Sequence, residues 1–180
     1  MNTEFEAKFL NINIDKFREK LKNVGAVLEQ PMRLMRRAII DTPEMKKKGG
    51  YVRLRHEGDK VTLTYKQFDN DSVDGAKEFE VEVSNFEETL NLLSSSGLSH
   101  NSFQETKRET WTHNGVEIVI DEWPWLNPYV EIEGEDEKSI KEMAELLGFN
   151  WNDAVFGEVS VAYRSQYPHL SENYTVGNLE

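Results

Sequence analysis

Glu4, Glu6 and Lys8 stand two residues apart in the opening segment Glu4-Phe5-Glu6-Ala7-Lys8-Phe9. Alternate side chains of an extended strand point to opposite faces, so these three charges share one face, and Phe5, Ala7 and Phe9 share the other. A single strand of this kind is an ordinary half-exposed one, but the pattern returns along the chain. Arg53 and Arg55 flank Leu54; Lys60, Thr62, Thr64 and Lys66 alternate with Val61, Leu63 and Tyr65; Glu131 and Glu133 flank Ile132. The charges also sort by sign. Glu4, Glu6, Asp121, Glu131 and Glu133 form an acidic set of hard oxygen donors suited to Mg²⁺ or Mn²⁺. Arg36, Arg53, Arg55, Lys66 and Arg108 form a basic set suited to phosphate oxygens, which a guanidinium grips as a two-pronged fork. Both sets in one place would bind a polyanion bridged to a metal ion.

The elements that must position these charges follow from the hydrophobic period. After the first strand, Ile14, Phe17, Leu21 and Val24 recur at helical spacing between an Asn13 cap and a Gly25 stop. Val27 to Ile40 reads as a long strand, with Pro31 marking an edge or bulge. A polar turn and lysine loop, Asp41 to Gly50, leads to a hairpin of Tyr51–Glu57 and Lys60–Phe68 about Gly58-Asp59. At Lys77 a weak second copy of the opening begins: Glu78-Phe79-Glu80-Val81-Glu82-Val83 is followed by a helix bearing Phe86, Leu90 and Leu93. Strands follow from about Phe103 to Thr112, Val116 to Asp121 and Tyr129 to Glu133, the first two joined by a His113-Asn114-Gly115 turn. A third helix starts near Asp136 with Ile140, Met143 and Leu147 as its stripe, and a fourth runs from about Asp153 to Gln166. Residues 169–180 read as a polar tail.

Eight strands and four helices in two similar halves define an α+β fold with a mostly antiparallel sheet. Eight such strands can close into a barrel that leaves no edge unpaired. If the apolar faces lie outward beneath the helices, the charged faces line the lumen, where Glu78 and Glu80 would join the acidic set. Desolvated ions need partners, so a lumen this charged implies a ligand that uses it.

Composition narrows the function classes. The chain has 180 residues, no cysteine and a net charge of −12. One domain over residues 1–168 is expected, without disulfides, thiolate metal sites or a cysteine nucleophile. The acidic balance argues against a nucleic-acid or anionic-membrane surface, since both are held by Lys and Arg. No apolar run reaches transmembrane length and the first residues are acidic, so a cytoplasmic protein is expected. His56, His100, His113 and His169 are scattered, which disfavours a histidine metal site or a Ser/His/Asp triad.

Together, Glu4-x-Glu6-x-Lys8, Asp41-Thr42-Pro43, Arg53-Leu54-Arg55, Leu63-Thr64-Tyr65-Lys66, Thr106-Lys107-Arg108-x-x-Trp111, Asp121 and Glu131-Ile132-Glu133 resemble the CYTH superfamily of triphosphate tunnel metalloenzymes. The resemblance spans roughly residues 1–165, in the family's motif order. It implies an eight-stranded antiparallel tunnel with flanking helices and pseudo-twofold halves. It places Glu4, Glu6, Asp121, Glu131 and Glu133 at Mg²⁺- or Mn²⁺-binding positions, and Lys8, Arg36, Arg53, Arg55, Lys66 and Arg108 at triphosphate-binding positions. Glu4, Glu6, Lys8 and Asp121 are the expected catalytic residues. The chain departs from the family in having Ile39-Ile40 before Asp41-Thr42-Pro43, and Arg37 where relatives carry an acidic or polar residue. Arg164 is the nearest match to a basic residue that some relatives supply from a C-terminal helix. A homodimer is compatible with the family, although no segment specifies an interface.

The resemblance implies phosphoryl or nucleotidyl transfer, with bases holding a triphosphate and metal ions bridging its oxygens. Attack by water at the terminal phosphorus makes a triphosphatase. Attack by a ribose hydroxyl at the α-phosphorus makes a class IV adenylyl cyclase. A triphosphatase is favoured, because it needs only the charged tunnel and no base pocket. A non-catalytic polyphosphate or nucleotide binder is the third reading, disfavoured because a pure binder has no use for five carboxylates. Trp123 and Trp125, around Pro124, are expected as core or rim packing.

Overall fold

The computed structural model describes residues 1–169. Eight strands, β1 (Asn2–Phe9), β2 (Val27–Ile40), β3 (Gly50–His56), β4 (Val61–Phe68), β5 (Ala76–Val83), β6 (Ser102–His113), β7 (Val116–Glu122) and β8 (Tyr129–Gly134), form one sheet. It closes as an antiparallel barrel in the order β1-β5-β4-β3-β2-β6-β7-β8. Closure leaves no strand edge free to pair with another chain.

The weak sequence repeat corresponds to a real symmetry. Exchanging β1 with β5, β2 with β6, β3 with β7 and β4 with β8 returns the same circle of neighbours, so the barrel is two strand–helix–three-strand repeats about a pseudo-twofold. The first repeat contributes α1 (Ile14–Asn23) and the second α3 (Phe86–Ser95). Both begin with an asparagine cap, whose side chain accepts from the backbone N–H three residues on: Asn13 from Lys16 and Asn85 from Glu88. The tight turn between β6 and β7 requires φ > 0 at both central residues, and Asn114 (φ 49°) and Gly115 (φ 81°) supply it.

Side chains sort as the alternation predicts, with apolar faces outward. Phe9, Ile118, Ile120, Val130 and Ile132 cluster with Phe17 and Leu21 of α1, with Ile140 and Met143 of α4 (Glu137–Leu146) and with Leu147, which caps it. Each fully buried Leu or Ile here contributes about 1.5–3 kcal/mol, the driving force that lets the opposite faces carry charge. A smaller cluster, Ala38, Leu54, Val61 and Phe86, sits under α3. The symmetry fails in one place. After β8 the chain forms α4, which packs on β8 and β1, whereas after β4 it makes only the loop 69–75. The equivalent outer face of β4 and β5 is left open, and Phe79 and Val81 are 59% and 57% exposed.

Three expectations are corrected. The turn after β2 contains a short helix, α2 (Pro43–Lys46), because Thr42 caps it, its side chain accepting from the Met45 N–H, and Pro43 suits a first helical position. The last helix does not begin near Asp153. A 3₁₀ turn (Trp151–Asp153) is followed by Val155, which bridges to Lys8 on β1 through two backbone hydrogen bonds, and α5 spans only Val159–Gln166. Gly157, at φ 93°, breaks the helical path between them. There are thus five α-helices among the described residues rather than four. Of the expected polar tail, all but His169 lies outside the described residues.

Candidate active site

The inward faces enclose a cavity of about 1140 Å³. Its lining divides into two contiguous half-shells of opposite charge. On β7, β8, β1 and β5, which are neighbours in the barrel, stand Glu117, Glu131, Glu133, Glu4, Glu6, Glu78 and Glu80. On β4, β3, β2 and β6, likewise neighbours, stand Lys66, Arg53, Arg55, Arg33, Arg37 and Arg108. Among the described residues Lys8 is the one lining base on the acidic strands, and Glu29 of β2 the one lining acid on the basic strands.

Period-2 alternation positions each group, and register brings the rows level. Glu6 lies opposite Glu133 and Lys8 opposite Glu131 on the β1–β8 ladder. Lys8 Nζ contacts Glu6 Oε1 at 2.7 Å and Glu131 Oε2 at 2.9 Å. Lys66 Nζ reaches Glu4 Oε2 at 2.7 Å and Glu6 Oε2 at 3.2 Å. Burial works against the charge on both lysines, but the carboxylates around them prevail and raise both above the ordinary lysine value. Both are therefore fixed cations rather than bases. Glu131 is likewise opposed by burial, yet Lys8 and Arg108 hold it well below the usual carboxylate range.

Where the half-shells meet, Arg108 faces Asp121 across the β6–β7 ladder. Its Nε donates to Oδ1 at 2.8 Å and its Nη2 to Oδ2 at 2.6 Å, a bidentate pair on a fully buried carboxylate. Both Asp121 oxygens are thus engaged, and the residue aims Arg108 into the lumen. At the other seam Thr64 Oγ1 donates to Glu80 Oε2 at 2.7 Å, and Arg53 lies 3.7 Å from the same oxygen.

Each half-shell keeps unmet charge. Burial and the neighbouring Glu4 push Glu78 up to about 7. Burial, Glu4, Glu131 and Glu117 push Glu133 up to about 8. Glu117 is also raised, by burial and then by Glu131 against the pull of Arg108. Across the lumen, burial, Arg53 and Arg108 push Arg55 down to about 9, and burial and Arg108 push Arg37 down to about 10. A guanidinium stays charged at neutral pH, so these depressions register crowded positive charge: among the described residues Arg55 pairs closely with one carboxylate, Glu57 at 2.7 Å, and Arg37 has none within 4 Å. Among the described residues no three acidic or histidine side chains are drawn together as a finished metal cage. The donor chemistry nonetheless fits a hard divalent cation: Glu78, Glu117 and Glu133 are crowded carboxylates on the cavity wall with no lysine or arginine within 4 Å among the described residues, and Glu4 stands with them.

Of the sequence-predicted residues, Glu4, Glu6, Lys8, Arg53, Arg55, Lys66, Arg108, Glu131 and Glu133 line the cavity, and Asp121 lies buried behind Arg108. Arg36 does not reach it. It lies on the outer face, with its guanidinium 5.4 Å from the Phe86 ring and 3.6 Å from Glu87, and Arg37 takes the inward place. Two adjacent arginines with apolar residues on either side leave the parity undecided, and register shifts around Gln30 break the count from the start of β2. Sequence reasoning also missed Glu117, although it shares the Asp121 face by simple alternation. It missed Glu57, which takes Arg55 Nη2 at 2.7 Å, and Glu158, which enters from the segment before α5. Trp123 is buried as core, whereas Trp125, at φ 57°, is 61% exposed.

No curated protein sequence matches this chain. Solved structures do resemble it. A proposed adenylate cyclase from Vibrio parahaemolyticus aligns at a TM-score of 0.76 and 14% identity, covering 88% of this chain and 96% of that one. A conserved hypothetical protein from Pyrococcus furiosus aligns at 0.72 and 21%, covering 84% and 94%. A proposed adenylyl cyclase from Hippeastrum, described as having a dominant triphosphatase activity, aligns at 0.60 and 13%, covering 94% and 98%. At these identities the likeness establishes the shared barrel. The CYTH domain profile matches residues 2–153, all eight strands included, and the chain belongs to the CYTH domain family.

Proposed function

We propose that the tunnel is the active site of a divalent-metal-dependent triphosphatase, which hydrolyses the terminal phosphate of an inorganic or organic triphosphate. One observation carries this reading: the wall is split into an acidic and a basic half-shell, each with charge that the other does not satisfy. A polyanion alone would meet the bases and a cation alone the acids; a metal–triphosphate complex meets both.

In this reading Arg53, Arg55, Arg108 and Lys66 hold phosphate oxygens, with Lys8 reaching across from β1. Their donors are fixed by Glu57, Asp121, Glu6 and Glu131, so little reorganisation is needed when negative charge develops on the transferred group. Glu4 and Glu133, with Glu78 and Glu117 beside them, would hold Mg²⁺ or Mn²⁺; Glu6, Glu131 and Asp121 support the cations instead. A bound divalent ion would supply positive charge that offsets the charge of the phosphate oxygens. Water attacks the terminal phosphorus, the bridging P–O bond breaks with its electron pair leaving on the bridging oxygen, and an acidic-half carboxylate takes the proton. The fixed lysines cannot serve as that base. The Hippeastrum protein, a cyclase by name with a dominant triphosphatase activity, shows that this fold can carry the hydrolytic reaction.

The test is to incubate the purified protein with Mg²⁺ or Mn²⁺ and either tripolyphosphate or ATP, and to separate the products. Orthophosphate from tripolyphosphate, without cyclic AMP from ATP, is the expected result. Cyclic AMP with pyrophosphate would replace this reading with the cyclase. Binding without turnover would replace it with the polyphosphate or nucleotide binder.

A further inference from the structure

Three buried side-chain N–H groups have no hydrogen-bond partner among the described residues: Arg37 Nε, Arg53 Nε and Trp123 Nε1. Two of them belong to one stacked pair. The Arg37 guanidinium carbon lies 4.5 Å from the centroid of a Trp123 ring. Both side chains line the cavity, and they are only 5% and 7% exposed. Neither is loosely placed. Arg37 Nη2 donates to Thr106 Oγ1 at 3.0 Å, and Trp123 packs edge-on against Tyr163, whose hydroxyl donates to the Pro124 carbonyl at 2.7 Å.

An unpaired buried donor costs about 1–3 kcal/mol, and a charged one more, so two side by side on a cavity wall call for an acceptor from outside the chain. Among the described residues four lumen cations are buried: Lys8, Arg37, Arg55 and Lys66. Lys8, Arg55 and Lys66 each have a carboxylate within 3 Å, and among the described residues Arg37 has none within 4 Å. The nearby acid, Asp121, already accepts from Arg108 with both oxygens. A neutral carbonyl would satisfy the hydrogen bonds but not the charge, and an amino group would satisfy neither. An anionic oxygen satisfies both. Arg37 is also continuous with the proposed phosphate-holding bases, because it pairs with Arg55 on the β2–β3 ladder.

We propose that Arg37 and Trp123 form an additional phosphate position beside Arg55 on the basic half-shell, so that the preferred substrate is a linear polyphosphate longer than three phosphates. This rests on the triphosphatase reading of the same tunnel. Water attacks the terminal phosphorus, the bridging P–O bond breaks, and its electron pair stays on the shortened chain. Tetrapolyphosphate and water thus give tripolyphosphate and orthophosphate, with the released proton passing to solvent.

The experiment compares kcat/KM for tetrapolyphosphate and tripolyphosphate with Mg²⁺ in the wild type, in W123F, which keeps a ring under Arg37 but removes the N–H, and in R37Q. The wild type is expected to favour the longer chain by about tenfold, the worth of one charge-assisted hydrogen bond. Each variant should lower the longer chain's kcat/KM by about tenfold through KM, and the shorter chain's by less than about threefold. Equal preference in the wild type, or equal loss on both substrates in W123F, overturns the subsite. Hydrolysis of neither substrate overturns the triphosphatase reading instead. Calorimetric binding of the two chains then decides the subsite alone: tighter tetrapolyphosphate binding, lost in W123F, supports it, and equal binding overturns it.

Discussion

The two repeats of the barrel share a path and differ in charge. Exchanging them maps β3 onto β7 and β4 onto β8, yet β3 and β4 turn Arg53, Arg55 and Lys66 inward while β7 and β8 turn Glu117, Glu131 and Glu133 inward. Only the opening strands β1 and β5 keep the same acidic pattern, Glu4 and Glu6 against Glu78 and Glu80. The apolar outward faces specify the backbone, and they are alike in both repeats. The inward faces were therefore free to take opposite signs, which turns a symmetric barrel into a tunnel with a field across it.

That difference is most sharply tested where the repeats join. Arg108→Met would leave Asp121 fully buried and unpaired, and breaking a buried pair from one side costs about 3–5 kcal/mol. At about 2–4 °C per kcal/mol for a chain of this size, thermal melting should shift down by at least about 6 °C, together with loss of triphosphate turnover. A melting shift under about 2 °C would show that the pair does not join the half-shells. Asp121→Asn, which keeps one acceptor, should fall between the variant and the wild type.

The next comparison sets a satisfied carboxylate against an unsatisfied one on the same strand. Glu131 contacts Lys8 and Arg108, whereas burial and three other carboxylates crowd Glu133. Glu131→Gln should therefore destabilise the metal-free protein, while Glu133→Gln should leave its melting unchanged or raise it, since a carboxyl that its neighbours hold largely protonated is replaced by a neutral amide of similar shape. Both should lose turnover, Glu133→Gln by on the order of a hundredfold or more, and only Glu133→Gln should abolish the rise in melting temperature on adding Mg²⁺. A Mg²⁺-dependent rise that survives Glu133→Gln would remove Glu133 from the metal set.

These contrasts were unequally legible in the sequence. Alternation on β1, β3, β4 and β8 is strict, so the inward places of Glu4, Arg53, Lys66 and Glu133 could be read directly, and closure into a barrel followed from the number of such strands. Arg36 was misplaced because β2 carries register shifts near Pro31 and two adjacent arginines, so a period of two has no fixed origin there. Glu57 and Glu158 lie just outside regular elements, where no period applies. The division of acids into cation-supporting and unsatisfied groups depends on which lysine reaches which oxygen across the lumen. That is a property of the closed barrel and not of any one strand.

The smallest expected effect lies outside the tunnel, where the repeats again use opposite signs. In the first, Arg18 of α1 reaches Glu109 on β6; in the second, Glu87 of α3 reaches Arg36 on β2. The first pair is close and partly buried: Arg18 Nε and Nη2 both donate to Glu109, at 3.1 and 2.7 Å, and Trp111 Nε1 adds a third bond at 2.7 Å. The second is 3.6 Å apart and open to water. Glu109→Gln should therefore cost about 1–2 kcal/mol, discounted for the exposure of Arg18, and Arg36→Gln within about 0.5 kcal/mol. The acid limb of a stability profile separates them further. Burial opposes the Glu109 charge, but the Arg18 and Trp111 bonds prevail and lower its pKa below the ordinary carboxylate value. A group depressed on folding contributes stability above its unfolded pKa, about 4.3, and loses that contribution as the pH falls through the folded value. Urea midpoints of wild type and Glu109→Gln should thus differ at pH 7 and converge below about pH 4. A difference that stays constant down to pH 3 would mean that Glu109 acts through packing under α1 and not through its charge.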